Sequence, residues 1–272
     1  MRRRLLWALG VAVLLVVWLL WGNSALQVST FVIEDGELPS AFDGFRIAQV
    51  SDLHNAPFWE EVVEALEKIK PDIIVLTGDL IDSSKTDVEA ALAFAQAAAE
   101  IAPCYYVSGN HEAWSPGHWD TLRRGLSRAG VVMLEDEKAV LEREGETVKV
   151  LGLRDPAFGS DHATVLTEQA AGEGYTLLLS HRPERFDLYV GAGVDLVFTG
   201  HAHGGQFRIP FLGGLIAPDQ GFLPEFDAGL YEKNGTSMLV SRGIGNSIIP
   251  LRINNRPEII LAELKVSVGI SQ

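Results

Sequence analysis

The chain has a single cysteine, Cys104, among 272 residues. That excludes an internal disulfide, although it leaves the cellular compartment open. Cations are scarce too: 22 lysines and arginines face 36 acids, for a net charge of −14. With Arg2, Arg3 and Arg4 set aside, the remainder carries −17. A domain of that sign repels nucleic-acid phosphates, so no nucleic-acid partner is expected. Repeats, low-complexity tracts and linkers are also missing, and the length suits one large α/β domain or at most two small ones. Histidine is sparse, with seven in all, yet His201 and His203 stand one residue apart in "DLVFTGHAHGGQF" (195–207).

The amino terminus is the clearest single element. After three arginines, "LLWALGVAVLLVVWLLW" runs from Leu5 to Trp21 without a charge. Seventeen helical residues rise roughly 25 Å, close to the hydrocarbon thickness of a bilayer. Trp7, Trp18 and Trp21 suit the interfaces, and the arginines belong on the cytoplasmic side. No polar face argues for a buried soluble helix. Small-residue cleavage sites after Trp21 are poor, which favours an anchor over a cleaved signal. The Arg-Arg pair also suits a twin-arginine export signal. The expectation is residues 1–24 as membrane anchor or signal, 25–44 as a lead-in strand and loop, and 45–266 as the catalytic domain. In either case the domain lies outside the cytoplasm, single-pass on the cell membrane or exported after cleavage.

Strands and helices then alternate. "FRIAQVS" (45–51), "DIIVLTG" (72–78), "CYYVSG" (104–109) and "VVML" (131–134) read as strands, separated by helical patterns at 58–70, 87–102 and 118–130. This βαβαβαβ order implies parallel strands with right-handed crossovers. A hairpin turning near Gly145, a helix around 166–171 and strands at 175–180, 195–200, 237–241 and 258–264 follow. Residues 203–237, rich in Gly and Pro, read as a long loop near the site.

Five of these strands each deliver metal-capable side chains just beyond their carboxyl end: Asp52 and His54, Asp79, Asn110 and His111, His181, and His201 with His203. In open α/β sheets ligands bind at that end. Asp, His and Asn donors without thiolate suit Mn, Fe or Zn. With His111 left over, the seven ligands (two Asp, four His and an Asn) exceed one tetrahedral ion and suit two ions sharing a carboxylate, an arrangement that activates water for attack on a phosphoryl group. Singly, each residue has a plainer reading: the Asp and Asn as turn residues, His181 as a helix cap, His203 as a surface histidine. Five strand ends in register outweigh them.

"SDLH", "GDLID", "GNHE", "SH" and "GHAH", in that order across about Phe45 to Gly205, resemble the signatures of the calcineurin-like metallophosphoesterase superfamily. The resemblance implies an α/β fold of two packed mixed β-sheets flanked by helices, here preceded by one transmembrane helix. It implies that Asp52, His54, Asp79 and His203 hold one divalent metal ion and Asp79, Asn110, His181 and His201 the other. It implies in-line attack by a metal-bridging hydroxide, with His111 protonating the leaving oxygen and Asp82 orienting His111. Asp82 is alternatively a helix N-cap before "SSKTDVEAAL". Where Ser/Thr protein phosphatases carry "DRG" this chain has Asp82-Ser83-Ser84, which argues against that activity.

"FRIAQVSDLHN", "FTGHAHGGQ" and "SRGIGNSIIPLRINNRPEI" are further similar to a bacterial membrane-associated phosphodiesterase branch. That likeness takes in Arg242, which could pair with a phosphate oxygen or form a structural salt bridge. "RGIGNS" lacks the third glycine and the βα context of a nucleotide loop. His118 and Trp119 either line the cleft or form a surface pair at a helix start, and His162 has no partner signal. The expected function is phosphodiester hydrolysis at the extracytoplasmic membrane face, with a lipid- or envelope-linked substrate inferred from location. The alternatives are a phosphomonoesterase on the same site and a membrane-tethered binding module without activity.

Overall fold

The computed structural model describes residues 2–170, 172–246 and 250–267. Ala171, at the end of the helix expected over 166–171, and residues 247–249 of the 241–259 segment lie outside them. The uncharged amino-terminal run lies within α1 (Arg2–Ser24), long and apolar enough to cross a membrane and exposed from Arg3 to Trp18. β1 (Gln27–Asp35) follows, formed by residues of the lead-in segment.

The expected βα units then appear in order: β2 (Arg46–Val50), α2 (Trp59–Ile69), β3 (Ile73–Thr77), α3 (Val88–Ile101), β4 (Cys104–Val107), α4 (Asn110–Ala113), α5 (Pro116–Arg128) and β5 (Val132–Met133). Their ends follow local chemistry. Asp87 caps α3 by accepting from Ala90 N at 3.0 Å, and Lys70 leaves α2 in the left-handed region just before Pro71. The expected hairpin is β6 (Lys138–Arg143) and β7 (Glu146–Gly152), turning through Glu144 and Gly145, both at positive φ. Next come α6 (His162–Gln169), β8 (Thr176–Leu179), α7 (Phe186–Ala192) and β9 (Leu196–Thr199).

Residues 203–237 are more ordered than the expected loop. Two short ladders pair β10 (Arg208–Ile209) with β11 (Gly213–Gly214) and β12 (Ile216–Ala217) with β13 (Gly221–Phe222). Their tips expose Phe211, Leu212, Phe222 and Leu223. β14 (Gly229–Lys233) then hairpins onto β15 (Thr236–Val240) through Asn234-Gly235, and β16 (Glu258–Val266) closes the fold. The Asn-Gly pair was the available signal for that hairpin.

Two six-stranded sheets result, ordered β1-β16-β2-β3-β4-β5 and β14-β15-β9-β8-β7-β6. Both are mixed. In the first, β2 through β5 run parallel, β16 lies antiparallel to β2, and β1 runs parallel to β16 along its full length. Alternate residues of the strands supply two interfaces. Ile47, Val75 and Val107 meet Val150, Leu179 and Phe198 between the sheets. Ile74 and Leu76 pack outward on Leu66, Phe94 and Leu122, while Leu178 and Val197 pack on Leu166, Phe186 and Tyr189. Because β3, β4, β8 and β9 are buried on both faces, their sequences run apolar without alternation.

Candidate metal centre

The carboxyl ends of β2, β3 and β4 in one sheet and of β8 and β9 in the other meet in one place. Asp52, His54, Asp79, Asn110, His181, His201 and His203, drawn from both sheets, are all buried there. Donor atoms gather in three groups, each within 4.8 Å: Asp52 with His54 and His203, His54 with Asp79 and His111, and Asp79 with His181 and His201. His54 Nε2 lies 3.2 Å from His203 Nε2 and 3.6 Å from Asp79 Oδ2. On the other side of Asp79, His181 Nε2 is 3.2 Å from that same Oδ2, from Asn110 Oδ1 and from His201 Nδ1. Asp79 therefore stands between two nitrogen-rich clusters.

The backbone is bent to achieve this. Asp52, His54, Asp79, His201 and His203 all have positive φ, between 44° and 64°. Left-handed backbone at non-glycine residues costs of order 1–3 kcal/mol each and persists only where the surroundings over-determine it. Glu112 is part of that constraint. Its buried carboxylate accepts from Gly109 N (2.8 Å), Asp79 N (2.9 Å), Leu80 N (2.8 Å) and Ile81 N (3.3 Å), fastening the turn that carries Asp79 to the turn that carries Asn110 and His111. Gly200 is required for a related reason, since a Cβ there would collide with Ser51 Oγ and Asp52 Oδ2.

The electrostatics mark a site shaped for cations. Burial opposes charge on His181, but Asp79 overrides it and raises the pKa to about 10. Burial holds His54 down to about 3 against the pull of Asp79, and it drives His203 well below its ordinary value. Burial and the Asp79 charge push Glu112 up to about 8. Carboxylates, imidazoles and an amide, converging and shielded from water, fit two divalent ions in donor number and type.

Around this set lie contacts that the sequence did not announce. Arg182 is buried and binds Asp155 through Nε (2.6 Å) and Nη2 (3.0 Å). Its Nη1 reaches Asp219, whose Oδ2 is 2.9 Å from His201 Nε2. His201 is thus held from behind by a carboxylate of the 203–237 segment. No local pattern reveals such a partner; the only sequence signal is that Arg182 directly follows His181.

The structure also places Asp82, Arg242 and His118. Asp82 is not hydrogen-bonded to His111: its Oδ2 stands 3.8 Å from His111 Nδ1, which instead accepts from Ser83 N at 3.0 Å. Nor does Asp82 cap α3, the role Asp87 fills; its Oδ1 accepts from Ser84 N (2.7 Å) and Lys85 N (3.1 Å) and closes its own turn. Arg242 does not line the cleft beside the histidines. It faces a separate cavity below α1, with Nε 3.6 Å from Glu258 Oε1. His118 is exposed on α5, whereas its neighbour Trp119 packs inward 5.0 Å from Phe158. Trp114, which the sequence did not single out, lines the cleft instead. His162 is a structural histidine, its Nε2 2.9 Å from Arg154 O.

A two-sheet α/β sandwich whose paired His/Asp clusters are compatible with two divalent ions defines a metal-dependent phosphoester hydrolase. The chain belongs to the calcineurin-like phosphoesterase family, whose model matches residues 45–205. It is 29% identical over 251 residues to the uncharacterized metallophosphoesterase YkuE of Bacillus subtilis (strain 168), covering 88% of this chain and 86% of that one. It is 29% identical over 236 residues to the phosphodiesterase YaeI of Escherichia coli (strain K12), covering 81% and 82%. A transmembrane protein with metallophosphoesterase domain from Danio rerio is 28% identical over 289 residues, covering 97% of this chain and 63% of that protein.

Proposed function

We propose that this chain hydrolyses phosphodiesters at the extracytoplasmic face of a membrane. The observation that carries the diester reading is the charge of the cleft, a cavity of about 700 Å³ opening beside His54 and His111. Among its described lining residues Lys85 is the one cation, set against Asp82 and Asp87. A monoester dianion would need further cationic partners beyond the metals; a diester carries one negative charge and does not. The similarity to a relative named as a phosphodiesterase points the same way.

In this reading Asp52, His54, Asp79 and His203 hold one ion and Asp79, Asn110, His181 and His201 the other, with Asp79 shared. The ions supply Lewis acidity and an activated water for in-line displacement. His111 presents a proton to the departing oxygen. Its Nδ1 accepts from Ser83 N–H, which leaves the proton on Nε2. Asp82, 3.8 Å from Nδ1, is the carboxylate available to balance charge on the ring. Trp114 lies 5.1 Å from the His111 ring and gives the cleft an apolar wall.

The membrane placement rests on α1 and on the arginines in its first turn, which favour a cytoplasmic amino terminus. A lipid- or envelope-linked diester is the substrate class reachable from there. The test is to load the purified chain with Mn and compare bis-p-nitrophenyl phosphate with p-nitrophenyl phosphate. Preference for the diester, lost in His54→Ala, is expected; preference for the monoester would overturn the reading. Protease added to right-side-out membranes should remove the domain if it faces outward.

A further inference from the structure

A second cavity, of about 110 Å³, lies where α1 meets the folded domain, apart from the histidine cleft. Its walls include Trp18 and Trp21 from the last turns of α1 and the guanidinium groups of Arg242, Arg252 and Arg256. Three cations converging in a chain of net charge −14 require an explanation.

Arg252 is accounted for by the fold. It is fully buried, and its side chain binds Asn246 Oδ1 (3.0 Å), Arg242 O (2.7 Å) and Gly245 O. Its backbone N and O are paired to the Asn23 amide at 2.7 and 2.9 Å, which docks the end of α1. Arg242 and Arg256 are different. Arg242 Nε is buried without a hydrogen-bond partner, and its nearest carboxylate, Glu258, is 3.6 Å away and already takes Ser29 Oγ at 2.5 Å. Arg256 lies 4.8 Å over the Trp21 ring and spends Nε and Nη2 on the carbonyls of Ala25 and Leu26. Among the described residues Arg256 Nη1 and both terminal nitrogens of Arg242 have no hydrogen-bond acceptor.

The position of the cavity narrows the ligand. It sits at the last turns of an apolar helix, where indoles mark the level of lipid headgroups. The strand that leads to the exposed Phe211 tip is tied to the segment lining this cavity. Arg208 N bonds Ile253 O at 2.9 Å, next to the residue that holds Asn23. Guanidinium donors without a hydrogen-bond acceptor, beside aromatic rings at a bilayer surface, suit a phosphate oxygen with acyl-glycerol beyond it.

We propose that this cavity binds the phosphate group of an anionic phospholipid, with Arg242 and Arg256 on the phosphate and Trp18 and Trp21 against the glycerol region. The inference rests on the membrane placement made above, but not on the hydrolytic chemistry. The bound lipid would be a fixed neighbour of the cleft, because Asn246, which accepts from Arg252, also lines the cavity beside His54.

The test uses the full chain in detergent micelles, with native mass spectrometry after addition of phosphatidylglycerol, phosphatidylcholine or inorganic phosphate. One phosphatidylglycerol should be retained in preference to phosphatidylcholine. Arg242→Gln should weaken retention about tenfold, the worth of one charge-assisted hydrogen bond, and Arg242→Lys should restore most of it. Melting temperatures of both variants separate lost binding from lost folding. Should Arg242→Gln not fold, Trp18→Ala, on the exposed helix, serves as the second variant and should weaken phosphatidylglycerol retention. Equal retention of the two lipids, or retention indifferent to these substitutions, overturns the proposal. Inorganic phosphate binding as well as the lipid would make this a soluble-anion site and overturn it too. Carbonate extraction keeps the two readings apart: a chain that stays in the membrane without lipid preference refutes only the cavity assignment, whereas one that washes off ends the anchor reading and this proposal together.

Discussion

Glu112 Oε2 accepts the backbone N–H of Asp79 at 2.9 Å, so the carboxylate between the two clusters is positioned by a second carboxylate on α4, the short helix after β4. Glu112 also takes three further amides, and its oxygens do not enter the His/Asp groups. Glu112→Gln keeps the shape but turns an NH2 group onto those amides. We expect a loss of about 1–3 kcal/mol in folding stability. Activity should fall with it, because the turn holding Asp79 loosens. Chemical denaturation and kcat/KM measure the two effects, and unchanged values for both would refute the role.

Gly78 precedes Asp79 at φ +89°, and a Cβ there would stand 2.7 Å from both Gly109 N and His181 Nδ1. Neither neighbour can retreat without moving the cluster around Asp79. Gly78→Ala should therefore reduce bound metal per chain as well as turnover, at a backbone cost of order 1–3 kcal/mol. Elemental analysis of the purified variant checks this; full metal content would count against it.

Asp219 holds His201 Nε2 at 2.9 Å, and that hydrogen bond together with Arg182 keeps the carboxyl low, at about 2. Substituting the partner behind a metal-binding histidine commonly weakens metal affinity about 10–100-fold. Asp219→Asn should shift the metal concentration for half-maximal activity upward by that order while leaving the folded state intact. A titration with Mn that superimposes on the parent curve would show that the contact is idle.

Glu135 is half-buried, and its desolvation raises its pKa to about 7 despite hydrogen bonds from Ser108 N and Oγ. The folded state therefore keeps a proton that the unfolded chain releases near the ordinary value of 4.5. The stability this proton confers is complete below that value and is lost as pH rises through about 7. Glu135→Gln removes the titration, so the decline in melting temperature across this window should flatten. A parallel pH profile for variant and parent would contradict the assignment.

Much of the framework was legible because its signals are local. The βα units from Arg46 to Met133 follow apolar runs broken by Pro71 and Pro103, and the metal-capable residues sit where those runs end. What escaped depends on contacts between distant segments. Glu112 reads as an ordinary acid until its amides are seen, and Asp219 meets His201 only because 203–237 folds back over the site. The ladders at Arg208–Ile209 and Gly213–Gly214 are too short for any period to show. The expected Asp82–His111 pair is an ion-pair contact at 3.8 Å rather than a hydrogen bond, for a similar reason. A carboxylate three residues beyond Asp79 finds the Ser84 and Lys85 amides closer than the imidazole.

The pairing of β1 with β16 has a consequence for how the molecule is made. β1 is an edge strand whose one neighbour in the sheet is β16, and β16 also separates it from β2. Residues 27–35 are synthesised well before their hydrogen-bonding partner, which lies more than 200 residues further along the chain. Closure over so long an intervening chain is slow compared with the local βα steps. The segment joining helix to domain therefore stays unfastened until β16 has been made, and α1 gains its rigid seat only when that strand slides in beside β1.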